Sequence, residues 1–404
     1  MSKNRNTPKL TILIIGAGPI GSHTGFELAK IYKQTKIPTQ IYLYDKKKKI
    51  GSPIQCTGII TKDIKKYINY NELKQKKIIV NELKQLKVIA PNGKYILLKT
   101  KDIVINREKF DQHLFLQAKN NGVKTFLEHK LISINKQKKE ANFLNNGKTK
   151  KQKYDILIGC DGPNSIVAKT IGVKYQYWVG VQEVCKIITP PAKKNQNLIQ
   201  NFDHTTYEVY LGTKYSGFFG WQVPESKNTT IIGVASQKNI KEKFKKLKEE
   251  LQKNNNYKKI ETQGGLIPIY DPKQKISDSH AGIFLIGDSA GQVKATTGGG
   301  IIPGLIASNS FVKSVKYNKT DLKKLNLQYN KNLRNLNFKL RLHLTIRQIL
   351  NKFNNEDYNL LILQFNNPKI KKLLREETRD NPLKLICKIL IFNPSLLRFI
   401  NKLF

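Results

Sequence analysis

LTILIIGAGPIGSHTGFELAKIYK, residues 10–33, opens on a short apolar run rich in β-branched residues that breaks at Gly16. A run without polar alternation predicts a strand buried on both faces, as in a parallel sheet. GAGPIG then sets Gly16, Gly18 and Gly21 in the G-x-G-x-x-G spacing, and the residues after it read as a helix. Gly16 permits the tight turn, Gly18 lets a pyrophosphate approach the backbone, and Gly21 lets helix and strand pack closely. The helix N-terminus offers free N–H groups and a partial positive charge to that phosphate. A second strand, TQIYLYD (39–45), ends in Asp45, placed to accept hydrogen bonds from a ribose. Alone the glycine spacing is weak; strand, turn, helix, strand and carboxylate together predict a dinucleotide site.

Two later stretches specify the dinucleotide. YDILIGCDGPNS (154–165) is another apolar strand, ending at Asp161–Gly162. FLIGDSAGQVKATTGGGI (284–301) carries Asp288 at a strand end, a predicted helix start after it, and the run Gly298–Gly299–Gly300 before Ile301. A nicotinamide-only domain has no use for a late strand ending in Gly-Asp. FAD does, because its ribityl chain and second phosphate reach far beyond the first loop. Asp288 can accept from ribityl hydroxyls, and the backbone of Gly298–Ile301 can lie along the pyrimidine edge of the flavin.

The 404 residues exceed a single small core, so two or three domains are expected. Residues 78–105 read as strands around a turn at Pro91-Asn92-Gly93. Residues 177–270 alternate like antiparallel strands (TYEVYLG, GFFGWQVP, TTIIGVAS), with a Lys-rich helix near 240–253. From residue 321 the pattern is helical and amphipathic. The predicted fold is α/β (α+β overall): a Rossmann-like FAD-binding domain in three segments (8–75, 102–175, 275–320), an interleaved antiparallel-sheet substrate domain (76–101, 176–274), and a C-terminal helical region (321–404).

Lys and Arg number 72 against 29 Asp and Glu, a formal net charge of +43. The lysines are spread along the chain with abundant Asn, Ile and Tyr, the mark of a compositional bias. No RRM, KH, zinc-finger or helix-turn-helix signature accompanies them, so nucleic acid is not an expected partner. Cys56, Cys160, Cys185 and Cys387 show no CxxC pairing and no metal-ligand spacing with the six histidines, which predicts a reducing compartment and no bound metal. The polar N-terminus and the lack of any apolar stretch of about eighteen residues predict a cytoplasmic protein. The basic amphipathic ending LKLICKILIFNPSLLRFINKLF reads as part of a capping helical domain, with peripheral contact with the inner membrane face as the alternative.

In order along the chain, GAGPIGS, DKKKKIGSPIQC, REKFDQHL, DILIGCDGPNS and GDSAGQVKATTGGGI resemble the geranylgeranyl reductase family of flavoproteins, most of all the archaeal enzymes that saturate isoprenoid chains of membrane lipids. The resemblance covers about residues 10–320 and implies the p-hydroxybenzoate hydroxylase fold, FAD, and hydride transfer from reduced flavin to geranylgeranyl double bonds of a lipid or diphosphate. By it, Gly16, Gly18, Ile20 and Gly21 match the phosphate loop and Asp45 the ribose acceptor. Cys56, Thr57 and Gly58 match the segment lining the isoalloxazine, Arg107 a cofactor-contacting arginine, and Leu131 a strand residue whose backbone meets the adenine. Asp288, Gly300 and Ile301 match the flavin-side loop. Many relatives carry Cys-Gly/Ala-Glu-Gly where this chain has Cys56-Thr57-Gly58-Ile59, so a proton-transfer role of that acidic residue does not carry over. Cys56, which the resemblance places at the flavin face, is either the catalytic residue that assists protonation or a small apolar residue packed there. YSGFFGWQVPE resembles an aromatic Y-x-W-x-F-P signature, which implies that Phe219, Trp221 and Pro224 border the prenyl chain. The alternative of the same fold is an FAD-dependent monooxygenase or halogenase, disfavoured because the Asp288 loop lacks the His and Pro of many hydroxylases. No second nucleotide loop exists, so the electron donor is external: ferredoxin, reduced deazaflavin or NAD(P)H.

Overall fold

A computed structural model describes residues 10–35, 37–188, 202–252, 256–317, 321–376, 388–389 and 391–403; Cys387 lies outside them. Leu10–Ile15 and Thr39–Tyr44 run parallel at the middle of a six-stranded sheet, with Ile12 level with Ile41 on one side and Ile156 on the other. Ile156–Gly159 and Ile283–Leu285 extend it in parallel, so strands far apart in the chain become neighbours. Both faces of the first strand are covered, which explains its unbroken apolar run. Ile12 and Ile14 pack toward helices Pro19–Lys33 and Ile301–Tyr317, while Leu13 and Ile15 pack on Phe143, Leu157 and Leu285.

The second layer is a seven-stranded, mostly antiparallel sheet ordered 256–268, 177–188, 229–236, 220–224, 206–210, 85–89, 95–99. Its outer face is closed over by the amphipathic helix Ile240–Gln252 through Phe244, Leu247 and Leu251. Its inner face looks toward the cofactor half of the molecule.

The C-terminal helix Leu322–Asn351 is less separate than its sequence suggests. Leu325, Tyr329, Leu333, Leu336 and Leu340, at three- and four-residue spacing, share one core with the parallel sheet. One turn further on, His343 Nδ1 lies 2.7 Å from Thr296 Oγ1. Arg347, 3% exposed, donates to the carbonyls of Ala295 (3.0 Å), Thr296 (3.0 Å) and Phe218 (3.1 Å) and stacks on the Phe218 ring. Burial pushes the guanidinium down to about 10. Three backbone carbonyls therefore take the place of a counter-anion and bind the 295–296 loop, the turn before strand Gly220–Pro224 and the helix at one point.

The expected helix directly after Asp288 is absent. Gly287–Ala290 is a single 3-10 turn, ended by Gly291 at φ +62°, and the helix begins only at Ile301. The intervening loop thereby offers its backbone rather than helix sides. Replacing Arg347 with Leu leaves three carbonyls without donors, each costing about 1–3 kcal/mol. The expected outcome is a loss of about 3 kcal/mol or more in urea unfolding, with Arg347→Lys recovering only part of it.

Candidate functional site

The phosphate loop is built by close contacts. A Cβ on Gly16 (φ +98°) would lie 2.3 Å from the Cys160 carbonyl, and one on Gly21 would lie 1.9 Å from the Gly16 carbonyl. Gly18, the N-cap of helix Pro19–Lys33, faces open space, and the first turn carries no acidic side chain to offset the helix dipole. Ile20 packs against Gly287 and Gly304, joining this loop to the late Gly-Asp strand. Asp45 accepts the Ala17 N–H at 2.7 Å and the Lys47 N–H at 2.8 Å, which aims its carboxylate across the mouth of the loop. Leu131 is buried beside Tyr44 at this same end. Asp161 lies nearby with its carboxylate already engaged: it accepts from Ser165 Oγ, Ile166 N and Val167 N, capping the short helix Ile166–Thr170. Asp161 therefore carries three donors where Asp45 carries two.

Arg107, Asp288 and Cys56 converge farther along. Arg107 is paired with Asp111 by two 3.2 Å hydrogen bonds. Burial works against its charge, but Asp111 and Cys56 outweigh burial and hold the guanidinium above its ordinary value. Asp288 is pushed up to about 6 by burial, against the opposing pull of Arg107. Its Oδ1 lies 2.5 Å from where a Gly300 Cβ would stand, so a larger residue at 300 would displace this carboxylate. Cys56 is half-buried, and its Sγ accepts the Gly58 N–H at 3.4 Å.

The inner sheet face opposite is organised in rows by strand register. Ile267 pairs with Trp178; next come Gly265, Gly180 and Ala235; then Gln263, Gln182, Gly233 and Trp221. The middle row carries a single methyl group. Gly298 of the triple-glycine loop meets Ile267 in the first row, and the Gln55 carbonyl meets Gly265 in the second. Residues two apart on a strand are about 7 Å apart, twice a van der Waals contact of about 3.5 Å. The triple-glycine loop and the Gln55–Cys56 segment thus touch the sheet two residues apart on one strand. The aromatic chain Trp178–Phe218–Phe219–Trp221 borders the strip, with successive ring centroids 5.1, 4.3 and 5.9 Å apart. The Trp221 indole lies across Gly233, where a Cβ would come within 2.4 Å of the ring. Trp178 Nε1 and Trp221 Nε1 are buried without a hydrogen-bond partner.

Pro224 does not join Phe219 and Trp221. Strand alternation puts it on the face of Gln222, toward the outer side, where its carbonyl accepts from Asn81. Val223 is the residue that follows Trp221 on the inner face, packing with Ile231 and Val104. Sequence reading missed Gln182, Gln263, Trp178 and Phe218. Their signals were present: glycines inside a strand mark close approach, and a glutamine amid WVGVQEVC is a polar residue in an otherwise apolar strand.

A model of the FAD binding domain matches residues 95–304. The chain belongs to the FAD binding domain family. Along its whole length it is similar to proteins named digeranylgeranylglycerophospholipid reductase: 26% identical to that of Methanococcus vannielii, over 97% of each chain, and 25% identical to that of Methanocaldococcus jannaschii, again over 97% of each. Among solved structures it resembles a geranylgeranyl bacteriochlorophyll reductase-like protein of Thermoplasma acidophilum (TM-score 0.77, 20% identity, 98% of this chain and 100% of that one). It also resembles the flavin-dependent halogenase CmlS (TM-score 0.67, 13% identity, 97% and 78%). These flavoproteins share its fold.

FAD is the cofactor of this family member, and the residues present fit it. The Gly16–Gly21 cradle suits a pyrophosphate, Asp45 a ribose, Asp288 the ribityl hydroxyls, and the bare row the ring. Asp288 carries the cost of that fit. Its raised pKa means that the carboxyl favours the folded state only when protonated, below its ordinary 3.8, and that this advantage is lost as pH rises through about 6. Asp288→Asn should therefore stabilise the FAD-free protein at pH 8 by about 1–3 kcal/mol, a gain that fades as pH falls from 6 to 4. The same variant should bind FAD at least about tenfold more weakly, since an ionised acceptor is lost. Urea titrations across pH and flavin fluorescence measure the two effects.

Proposed function

We propose that the chain is an FAD-dependent reductase that saturates carbon–carbon double bonds in geranylgeranyl chains of lipids or their diphosphate precursors. The observation that carries this reading is the bare row Gly265–Gly180–Ala235, lying against the Cys56 segment and flanked by two apolar clusters. Full-length similarity to reductases named for such lipids supports the substrate class. On this reading residues 8–75, 102–175 and 275–320 hold the cofactor, 76–101 and 176–274 hold the substrate, and 321–404 brace both.

An isolated trisubstituted alkene has no carbonyl to take up charge, so its reduction needs a hydride at one carbon and a proton at the other. Bound and reduced, FAD supplies the hydride. Phe219 and Trp221 hold the chain alongside through apolar area, at about 0.8 kcal/mol for each buried CH2, and exclude water from the reacting carbons. Cys56 Sγ carries the proton that completes the addition. The Arg107 guanidinium lies beside this sulfur, and solvent returns the proton afterwards. Electrons come from an external donor, a ferredoxin, a reduced deazaflavin or NAD(P)H.

Among the described residues no helix is long and apolar enough to cross a membrane. Leu363, Ile391, Phe392 and Leu397 are exposed near the C-terminus, and we assign them to peripheral contact with the bilayer that holds the substrate. Co-sedimentation with anionic vesicles, lost in an Ile391→Glu/Phe392→Glu variant, is the expected behaviour.

The decisive experiment adds a geranylgeranyl lipid to the reduced FAD protein without oxygen. Flavin oxidation is expected, with product masses rising in steps of two hydrogens. A flavin that stays reduced, or oxygen-dependent hydroxylation or halogenation instead, overturns the reading. Trp221→Ala should raise KM for the lipid at least about tenfold, given the apolar area an indole covers, with a smaller change in kcat. Cys56→Ala should lower kcat and leave FAD content unchanged.

A further inference from the structure

Four polar side chains run in single file from the surface to the cofactor segment. Exposed Glu261 Oε2 accepts from Gln263 Nε2 at 3.1 Å, Gln263 Oε1 accepts from Gln182 Nε2 at 2.6 Å, and Gln182 Oε1 accepts the Thr57 hydroxyl proton at 2.6 Å. The two glutamines are 7% and 5% exposed and face each other in register across adjacent strands. Their direction is not arbitrary. A carboxylate can only accept, so Glu261 forces the Gln263 amide to present its NH2 outward and its oxygen inward. That orientation fixes Gln182, and Gln182 in turn draws the Thr57 proton toward itself. Buried polar side chains usually serve to satisfy one another, yet this line ends beside Cys56, at the edge of the bare row, on a hydroxyl that is only half-buried. There Thr57 Oγ1 has its hydrogen committed and only lone pairs to offer.

We propose that the Glu261–Gln263–Gln182 line makes Thr57 an obligatory hydrogen-bond acceptor at the flavin ring, where it favours the reduced cofactor. The inference rests on the FAD site described above. Reduction of a flavin adds a ring N–H, so an acceptor held in one direction discriminates between the two redox states, whereas a freely rotating hydroxyl would serve either. Thr57 would thus touch the cofactor directly, and Glu261, at the surface, is a positioning residue that acts on the ring through two amides and the Thr57 hydroxyl. Glu261→Gln removes the group that sets the direction, because a glutamine can donate as well as accept and lets both amides turn over.

The test is an anaerobic redox titration of FAD bound to the full chain, without lipid, in the wild type and in Thr57→Val, Thr57→Ser, Gln182→Met and Glu261→Gln. Thr57→Val and Gln182→Met should shift the two-electron equilibrium about tenfold toward oxidised flavin, a potential about 30 mV lower. Thr57→Ser should stay within about twofold of wild type. Glu261→Gln should shift in the same direction by less, and adding Gln182→Met to Thr57→Val should cause no further change. Thr57→Val at the wild-type potential overturns the proposal. So does a shift in Thr57→Val that Glu261→Gln does not share, since the line would then not set the direction. Thr57→Ser and Glu261→Gln, both conservative, carry the comparison if the other two lose flavin. A wild-type protein that takes up FAD but fails to reduce geranylgeranyl lipid would count against the function proposed above and leave this redox comparison intact.

Discussion

A planar ring at the end of a long, charged, flexible tail constrains everything else in this molecule. The tail needs bare backbone at a helix N-terminus, which only the buried edge of a parallel sheet supplies. The ring needs a flat, nearly side-chain-free surface with apolar borders, which a parallel sheet packed by helices on both faces cannot supply. Two layers of different kinds must therefore share one ligand. The chain meets that demand by passing between them repeatedly: strand Gln85–Ile89 belongs to the second layer, helix Arg107–Asn120 to the first, strand Tyr177–Ile188 to the second, and Ile283–Leu285 to the first. Interleaving makes the two halves hard to separate. Arg347 shows the consequence on a small scale, with one guanidinium on the C-terminal helix holding together the loop at Ala295–Thr296 and the turn that leads into strand Gly220–Pro224.

What could be read from sequence was whatever local chain geometry imposes. The apolar run 10–15, the glycines of GAGPIG and Asp45 at a strand end are determined within 36 residues, and the structure assembles them as read. The site beyond them depends on register between distant strands. Gln182 and Gln263 meet only because 177–188 and 256–268 pair with one particular alignment, shifted by a bulge at Val184/Cys185. Nothing within either segment fixes that alignment. Pro224 was misplaced for a related reason. The signature groups it with Trp221, but a strand turns every second residue to the opposite face, and three residues of separation put the two on different sides. Asp161 and Asp288 look alike in sequence, each following a Gly-rich strand end. They part only in three dimensions: one caps a helix that starts five residues later, and the other lies against a glycine with no donor to satisfy it.

Charge gives the same lesson about position over number. Many of the ion pairs are exposed, such as Lys246–Glu242 and Lys245–Glu249 on helix Ile240–Gln252, where water and salt leave them contributing little to stability. With 72 basic against 29 acidic residues, complete pairing would still leave the excess of 43 to the solvent. The buried arginines are each held individually. Arg107 is held by Asp111 and flanked by Cys56 and Asp288; Arg347 is held by carbonyls.

Arg107 and Asp288 together show how such a site can be assembled without collapsing on itself. Were the two joined directly, each would satisfy the other and neither would act on a ligand. Instead Asp111, four residues on along the same helix, takes the guanidinium in a paired geometry. Asp288 is left with only the long-range part of that charge, too weak to offset burial, and so it remains an acceptor in want of donors. On the proposed placement of the cofactor, that carboxyl would accept from its ribityl hydroxyls. A cofactor site of this kind is therefore less stable empty than filled, and the residue responsible is the one whose environment is worst when the protein stands alone.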